Sequence, residues 1–409
     1  MTGRVALGIE RLAADPDAVA GLRGRRVGLI TNASAIDRRC RSSVDVLLSI
    51  QRQASFQLRA LYAPEHGLLG VAGATEPVAD GVDPISGLPV FSLYQDSVLP
   101  TVEMVDQIDT FLFDVQDVGV RFYTFIWTMY YAMRTAALHG KGFVVLDRPN
   151  PLGDRLDGPV LDPAVASFVG VRELPLQHGM TIGELAMLFN AEFLDAPVAG
   201  LAVVAMTGYR AAEFAAGFGL PWAPPSPNLP HRINAWGHAA TGLLDGLDVS
   251  VGCGTPMPFL WAGSAAIDVR LAHQMAGALN RRELPGVIFR PAFARPCSGP
   301  AAGRICGGVQ VHIVDARRFE PLRTGLHLLC LLVRDGGAGW RPEHDLHAPD
   351  RFAGGNGVVW FDRLIGDRTT RAAIASGADP DELVQAYRAG HGAFRELRER
   401  HRRYPTADA

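Results

Sequence analysis

Acidic residues follow two apolar segments of this sequence, at positions where they could exchange protons with a bound substrate. Glu65 and His66 come directly after one apolar run, and Asp114 and Asp117 lie within and just after another at 111–115. Carboxylates and imidazoles are common general acids and bases in enzymes. We therefore take these four residues as the candidate catalytic groups.

Each candidate also has an ordinary structural interpretation. Glu65 could be a surface turn residue. A carboxylate inside an apolar run, such as Asp114, needs a partner because burying an unpaired charge is costly. Arg121 is the candidate partner, in which case the two residues form a structural ion pair. The sequence alone leaves the catalytic and the structural interpretations open.

Further polar residues are candidates for substrate binding, and most of them follow other apolar runs. They are Asn32, Arg121, Tyr123, Asp147, Arg148, Asn150 and His178. Asp147 and Arg148 could instead form a salt bridge, and a lone histidine such as His178 is more often structural. Thr181 and Glu184 have the spacing of a capping box, so we interpret Glu184 as a helix cap.

Apolar runs of strand length alternate with helical segments through the first 150 residues. The runs cover residues 26–31, 58–63, 90–94, 111–115 and 143–146, and the helices are predicted at 43–50, 102–108 and 122–139. This alternation predicts an α/β fold with a doubly wound, mostly parallel sheet. Ligands bind beyond the carboxyl ends of the strands in such sheets, so the polar residues should converge on one edge.

A proline-rich segment, residues 222–230, separates this regular region from a shorter second part. Its four prolines exclude a helix or a central strand. We place the domain boundary just after it, which gives domains at 1–235 and 236–409. Helices predicted near 265–279, 321–333 and 380–403, with strands near 287–293 and 308–314, indicate a smaller α+β domain.

Composition excludes several functional classes. The formal net charge of the 409 residues is −3, so no global positive field favours nucleic acid. No run of about 18 apolar residues predicts membrane insertion. Five widely spaced cysteines indicate a reducing compartment, without a disulfide between Cys297 and Cys306. We expect a cytoplasmic location, or a secreted one if a leader precedes this sequence; the oligomeric state stays open.

Common cofactor and nucleophile motifs are missing from the sequence. Gly252 and Gly254 lack the third glycine of a dinucleotide fingerprint, and neither a phosphate loop nor a serine nucleophile elbow is found. His344 and His347 have no further ligands at a diagnostic spacing. We therefore expect no cofactor and no metal.

Many short strings, spread over nearly the whole chain, resemble the NamZ-type exo-β-N-acetylmuramidases. The strings begin at Gly28 (GLITN), Pro64 (PEHG), Gly87 (GLPVFSLY), Asp114 (DVQDVG), Arg121 (RFYT), Leu146 (LDRPNP), Ser167 (SFVG), His178 (HGMTIGEL), Pro225 (PSPNLP), Cys306 (CGGV) and Phe361 (FDRLIG). Their number and order make the resemblance specific. It implies a Rossmann-like first domain, a smaller second domain, and an active site in the cleft between them.

The resemblance implies exo-acting hydrolysis that releases terminal, non-reducing N-acetylmuramic acid from a peptidoglycan-derived saccharide. It assigns Glu65 as the catalytic acid, a role that glycoside cleavage requires of a carboxylic acid. Asp114 or Asp117 would be the second group, with the possibility that one orients the substrate's N-acetyl group. Arg121 or Arg148 would bind the lactyl carboxylate.

The same resemblance gives the proline-rich segment a role. Residues 225–230 are expected to line the cleft instead of serving as a plain linker. The rigidity of proline would hold Ser226 and Asn228 in place at low entropic cost. Both residues are therefore candidates for binding sugar hydroxyl groups.

The sequence departs from the family pattern in one stretch of the second part. Cys253 stands where arginine is usual, Leu260 where glutamate is usual, and residues 264–266 where Ala-Pro-Trp or Ala-Pro-Phe is usual. Asp245 and Asp248 replace the usual glutamate and asparagine. These changes leave open a glycosidase of other amino-sugar specificity, or a catalytically silent sugar-binding protein.

Overall fold

The computed structural model describes residues 4–74, 76–94, 98–342 and 358–405. Its strands are β1 (Arg26–Thr31), β2 (Gln57–Ala63), β3 (Gly81–Val82), β4 (Pro89–Ser92), β5 (Thr110–Asp114), β6 (Gly142–Leu146), β7 (Asp157–Val160), β8 (Pro175–Gln177), β9 (Leu201–Val204), β10 (Trp261–Ser264), β11 (Val287–Ala294) and β12 (Cys306–Ile313). The His344 and His347 pair lies outside the described residues.

The α-helices of the described residues connect and flank these strands. They are α1 (Gly8–Ala14), α2 (Pro16–Val19), α3 (Ser43–Ala54), α4 (Val102–Asp106), α5 (Phe125–Leu138), α6 (Ile182–Leu188), α7 (Arg232–Thr241), α8 (Val269–Asn280), α9 (Pro321–Arg334), α10 (Trp360–Ile365), α11 (Thr370–Ala375), α12 (Pro380–Ala389) and α13 (Gly392–His401). Within the described part of the chain, every helix is too short or too polar to cross a membrane.

The fold is α/β, and its first part is a seven-stranded, mostly parallel sheet. The strand order is β3-β4-β2-β1-β5-β6-β9, and only β3 pairs antiparallel to its neighbour. Strands β1 and β5 end together, since Thr31 pairs with Asp114. This shared edge is where the sequence predicted that the polar residues would meet.

The second part contains a smaller antiparallel sheet. Its order is β10-β12-β11, and α8 packs against it. A separate hairpin of β7 and β8 stands between the two parts, where its strand β7 contacts α12. The predicted smaller α+β domain is thus present.

The boundary between the two parts is less simple than the predicted division at residue 235. That residue lies inside α7, so the division itself stays a prediction. The end of the chain also returns to the first part. The Tyr404 hydroxyl donates a 2.5 Å hydrogen bond to Oδ2 of Asp147, and its ring packs edge-on against Tyr209.

Several predicted helices differ in extent from the observed ones. The helix predicted from residue 122 begins at Phe125, because the preceding turn is held by the bond from Trp127 Nε1 to the Arg121 carbonyl. The long helix predicted over 380–403 is two helices, α12 and α13, separated at Gly390 and His391.

Candidate active site

Glu65 follows β2 at the edge of the sheet, and hydroxyl groups hold its carboxylate. The side chain is buried, with 7% exposed, and Thr124 donates a 2.6 Å hydrogen bond to Oε2. Burial, together with the charge of Glu65 and a hydrogen bond to it, raises the pKa of Tyr94. The neutral Tyr94 hydroxyl is therefore a second group that fixes this carboxylate.

His66 occupies a strained position in the tight turn after β2. Its φ is +73°, a left-handed conformation that a residue with a side chain seldom adopts. The ring is buried, with Nδ1 2.8 Å from the Ala72 carbonyl, and it lies edge-on to Phe125. Strain of this kind is often found at functional sites, so the turn supports a role for its residues.

Tyr123 connects Glu65 to the candidate carboxylate of the neighbouring loop. Burial raises its pKa well above the usual value, and the charges of Glu65 and Asp117 add to the increase. Ser226 lies beside its hydroxyl, yet that hydroxyl has no well-formed hydrogen bond within the described residues. The charges of Glu65 and Asp117, which follow two different strands, thus both act on one buried phenol.

Asp117 and His178 complete a group of buried polar residues with Glu65, His66 and Tyr123, which we call the cluster. Oδ2 of Asp117 accepts a 2.8 Å hydrogen bond from the Gly119 amide and lies 3.5 Å from Nε2 of His178. Because Nδ1 of His178 accepts a hydrogen bond from the Met180 amide, a neutral ring carries its proton on Nε2, toward Asp117. In this arrangement the imidazole of His178 orients the carboxylate of Asp117.

Four polar atoms of this cluster have no well-formed hydrogen bond to the residues that the structure describes. They are the Tyr123 hydroxyl, Oδ1 of Asp117, Nε2 of His178 and Nδ1 of His238, a residue of α7. Buried polar groups in folded proteins nearly always have a partner, so such a concentration is unusual. Their hydrogen-bonding capacity is unused within the described residues, which supports a functional site here.

The proline-rich segment packs against this cluster, and its predicted role in lining a substrate cleft stays a prediction. Asn32 donates from Nδ2 to the Pro225 carbonyl at 3.4 Å, and Ser226 is buried beside Tyr123. Asn228 is partly exposed, and its side chain makes no hydrogen bond to the described residues. Asn32 therefore positions the loop, while Ser226 and Asn228 remain candidates for substrate contact.

His238 belongs to this cluster and was not among the candidates from the sequence. It comes from α7, and its ring packs edge-on against Tyr123 and Phe259. Burial lowers its pKa to about 3, helped by the nearby His66, so the imidazole is neutral. No motif marked this residue, because its contact with the sheet edge arises only from the tertiary fold.

Arg121 does not bind Asp114, and it does not face the cluster. Its guanidinium group is fully buried and donates four hydrogen bonds of 2.6–3.2 Å to backbone carbonyls. The acceptors are Pro159, Leu174, Leu364 and Ile365. Burial lowers its pKa to about 9. The predicted role in binding a substrate carboxylate is corrected: Arg121 joins the β7–β8 hairpin to α10.

Asp114 has a structural partner, but that partner is Arg148. Nη2 of Arg148 donates to Oδ2 of Asp114 at 3.0 Å, Nε donates to Oδ1, and Ser43 donates to Oδ2. Arg148 also donates to the Ile36 carbonyl at 2.9 Å. Both side chains are buried, so we correct their predicted roles in catalysis and in carboxylate binding.

Asp147 and Asn150 are likewise used by the fold. Asp147 is fully buried and accepts hydrogen bonds from Thr181, Tyr404 and the Arg148 and Gly183 amides. Asn150 donates to the Met180 carbonyl and accepts from the Leu152 amide. Since these groups have no free polar atom directed at the cluster, their predicted substrate contacts are corrected to structural ones.

Glu184 is the helix cap that the sequence predicted. Thr181 accepts a hydrogen bond from the Glu184 amide, and the Glu184 carboxylate accepts one from the Thr181 amide, which completes a capping box. The other carboxylate oxygen accepts from the Arg403 amide at 2.9 Å. Glu184 therefore stabilises α6 and the end of the chain.

The unusual Cys253 does not replace the charge of an arginine. Burial raises the pKa of its thiol to about 12, and the charge of Asp245 contributes to this increase. Asp245 is bound by Arg341, with Nη1 3.1 Å from Oδ1, and by Trp360. The second part thus supplies a neutral thiol at this position.

Comparisons with known proteins agree with the geometry. Residues 27–233 match the N-terminal model of the exo-β-N-acetylmuramidase NamZ, and residues 236–404 match the C-terminal model. The peptidoglycan β-N-acetylmuramidase NamZ of Bacillus subtilis (strain 168) is 39% identical over 400 residues, which cover 97% of this chain and 91% of that protein.

Two solved structures from Bacteroides fragilis NCTC 9343, both DUF1343 family proteins, share the fold. One has a TM-score of 0.83 and 34% identity, covering 98% of this chain and 99% of its own. The other has a TM-score of 0.75 and 25% identity, covering 99% and 100%. With both family models matched in order along the chain, this protein belongs to the NamZ family of exo-β-N-acetylmuramidases.

Proposed function

We propose that this chain is an exo-acting glycoside hydrolase that releases terminal, non-reducing N-acetylmuramic acid from peptidoglycan fragments. The observation that carries the proposal is that the charges of Glu65 and Asp117 both act on buried Tyr123, in a cluster with four buried polar atoms that lack a well-formed hydrogen bond to the described residues. Glycoside cleavage needs one carboxylic acid and a second group that stabilises the positive charge at the anomeric carbon. The sequence of the B. subtilis relative supports the same reaction class.

Glu65 is the proposed general acid. Thr124 and Tyr94 fix its carboxyl group at the mouth of the sheet, where it can protonate the glycosidic oxygen as the bond to the anomeric carbon breaks. The same carboxylate then takes a proton from the water that completes hydrolysis. His66 keeps the turn in its left-handed conformation and so sets the direction of Glu65.

Asp117 is the proposed second group, and its contacts favour an orienting role. Two N–H groups, from Gly119 and His178, face Oδ2, while Oδ1 is unpaired within the described residues. Oδ1 is placed to accept the N–H of the substrate's acetamido group. The acetamido oxygen then bonds to the anomeric carbon as the leaving group departs, and water later breaks that bond.

A second candidate function is a glycosidase for an amino sugar without a lactyl carboxylate. The specific observation is that both predicted carboxylate-binding cations, Arg121 and Arg148, are committed to other groups. Cys253 adds no charge in their place. In this case Glu65 and Asp117 keep their roles, and only the sugar differs.

Paired chromogenic substrates test these proposals. We expect turnover of a β-N-acetylmuraminide and weaker turnover of the matching β-N-acetylglucosaminide. The reverse preference would assign the second candidate function. Binding of both sugars without turnover of either would contradict hydrolysis and leave a silent sugar-binding protein.

A further inference from the structure

A cavity of about 450 Å³ lies between the β7–β8 hairpin and the start of α9, apart from the candidate active site. Gln177, one residue before His178 of the active site, is part of its wall. Six of the residues that line it are charged: Arg155, Arg317, Arg318, Arg388, Asp157 and Glu320. Four guanidinium groups against two carboxylates leave two positive charges unbalanced, although the whole chain carries a net charge of −3.

Arg388 forms salt bridges with both carboxylates of the cavity wall. Nη2 of Arg388 lies 2.8 Å from Oδ2 of Asp157 and 3.0 Å from Oε1 of Glu320. The other oxygen of Glu320 accepts from Arg323, which lies outside the wall, at 3.1 Å. The acidic groups of the cavity are therefore already paired, and they act on Arg155 only through space.

Arg155 is held rigidly at the cavity wall. It donates to the carbonyls of Phe319, at 2.7 Å, and Arg317, and its guanidinium group lies over the Phe214 ring at 5.0 Å. These partners are neutral and orient the guanidinium group, while Glu320, Asp154 and Asp157 act on its charge through space without a salt bridge to it. A cation fixed in this way loses little entropy when an anion binds.

Arg317 and Arg318 provide the free charges. Both side chains are exposed, and neither forms an ion pair with any residue in the described ranges. They stand just before α9, a helix of 14 residues that begins at Pro321 without a side-chain cap. The positive end of the helix dipole adds to their field.

We propose that this cavity binds a phosphate monoester. Two unbalanced positive charges match a dianion, and arginine is the side chain best suited to bind phosphate oxygens in pairs. A volume of about 450 Å³ is larger than a phosphate ion needs and falls within the usual range for small organic ligands. The ligand class is thus an organic phosphate such as a sugar phosphate, held by Arg155, Arg317 and Arg318.

Calorimetric titration of the 409-residue chain tests the proposal with three probes: glucose 6-phosphate, inorganic phosphate and glucose. We expect saturable binding of glucose 6-phosphate and none of glucose. Tighter binding of the ester than of inorganic phosphate identifies an organic phosphate as the ligand, while equal affinity identifies the phosphate ion itself. The absence of saturable binding by either phosphate would overturn the proposal.

Matched variants locate the binding site. The Arg317→Ala/Arg318→Ala protein should bind glucose 6-phosphate at least about tenfold more weakly, since each lost contact is a charge-assisted hydrogen bond. The Arg23→Ala/Arg52→Ala protein removes two exposed arginines that are far in sequence from every residue of the cavity wall, and it should bind normally. An equal loss in both variants would overturn the assignment, and thermal unfolding verifies that each one is folded.

Phosphate binding at this cavity should not depend on the residues proposed to carry out hydrolysis. The Glu65→Gln protein should bind glucose 6-phosphate as the unchanged chain does, because Glu65 is not part of the cavity wall. Loss of binding in that variant would mean that the phosphate occupies the active site instead, which contradicts the proposal. The result does not depend on whether the chain turns over a muramic acid glycoside.

Discussion

Nε2 of His178 lies 3.5 Å from Oδ2 of Asp117, and both side chains are buried at the edge of the sheet. The tautomer that Met180 imposes directs a proton from His178 toward the carboxylate. This contact orients the carboxylate and leaves its other oxygen for the substrate. It distinguishes Asp117 from Asp114, whose two oxygens are both bound by Arg148.

Asp117→Asn should lower kcat by about a hundredfold or more while the fold persists, because an amide cannot supply the negative charge that the acetamido group needs. His178→Asn should have a smaller effect, mainly on kcat, since it acts through Asp117. Steady-state kinetics on a chromogenic glycoside measures both. Asp106→Asn, an exposed residue of α4, is the control. A change only in KM for Asp117→Asn would contradict the proposed role.

Asp114→Asn should act on stability instead of chemistry. Breaking a buried ion pair by removing one partner costs about 3–5 kcal/mol, because Arg148 would remain buried without a counter-charge. Asp162→Asn removes the exposed pair with Arg368 and should cost at most about 1 kcal/mol. Urea unfolding compares the two variants. Similar small losses would show that the buried pair is not structural.

Asp147 should make stability depend on pH. Burial raises its pKa from 3.8 to about 6, so between these values the folded chain binds more protons than the unfolded chain. The contribution of this group is therefore full below pH 3.8 and is lost as the pH rises to 6, by about 3 kcal/mol. Unfolding free energies of the parent and Asp147→Asn proteins should diverge in this window. Parallel curves would contradict the raised pKa.

His238 should stay neutral across the pH range in which the enzyme works. Burial lowers its pKa to about 3, so its imidazole resonances should not titrate between pH 5 and 8. Nuclear magnetic resonance of ring-labelled histidine measures this directly. A titration of His238 near its ordinary pKa would show that its ring is solvated and not packed against Tyr123.

The sequence predicted the sheet and its active edge because both depend on local patterns. Apolar runs mark buried strands, and Glu65 and Asp117 follow two of them. Parallel strands in the same sheet then bring these residues to one edge. The proline-rich segment was also recognisable, because its composition excludes regular structure.

The partners of the buried charges could not be predicted in this way. Arg121 is closer to Asp114 in sequence, but Arg148 is its partner in the fold. Arg148 follows β6, and because β6 lies next to β5 in the sheet, its side chain contacts Asp114 at the end of β5. His238 comes from α7 and meets Tyr123 only after the two parts of the chain pack. Such pairings depend on strand order and on helix packing, which a residue pattern does not contain.

The most direct test of the account is the activity of the Glu65→Gln protein on a chromogenic β-N-acetylmuraminide. The amide is nearly isosteric but cannot deliver a proton, so we expect turnover to fall by about a hundredfold or more with an unchanged melting temperature. Glu184→Gln, at the capping carboxylate, is the matched control, and its folded fraction should retain activity. Unchanged turnover in a folded Glu65→Gln protein would contradict the assignment of Glu65 as the acid.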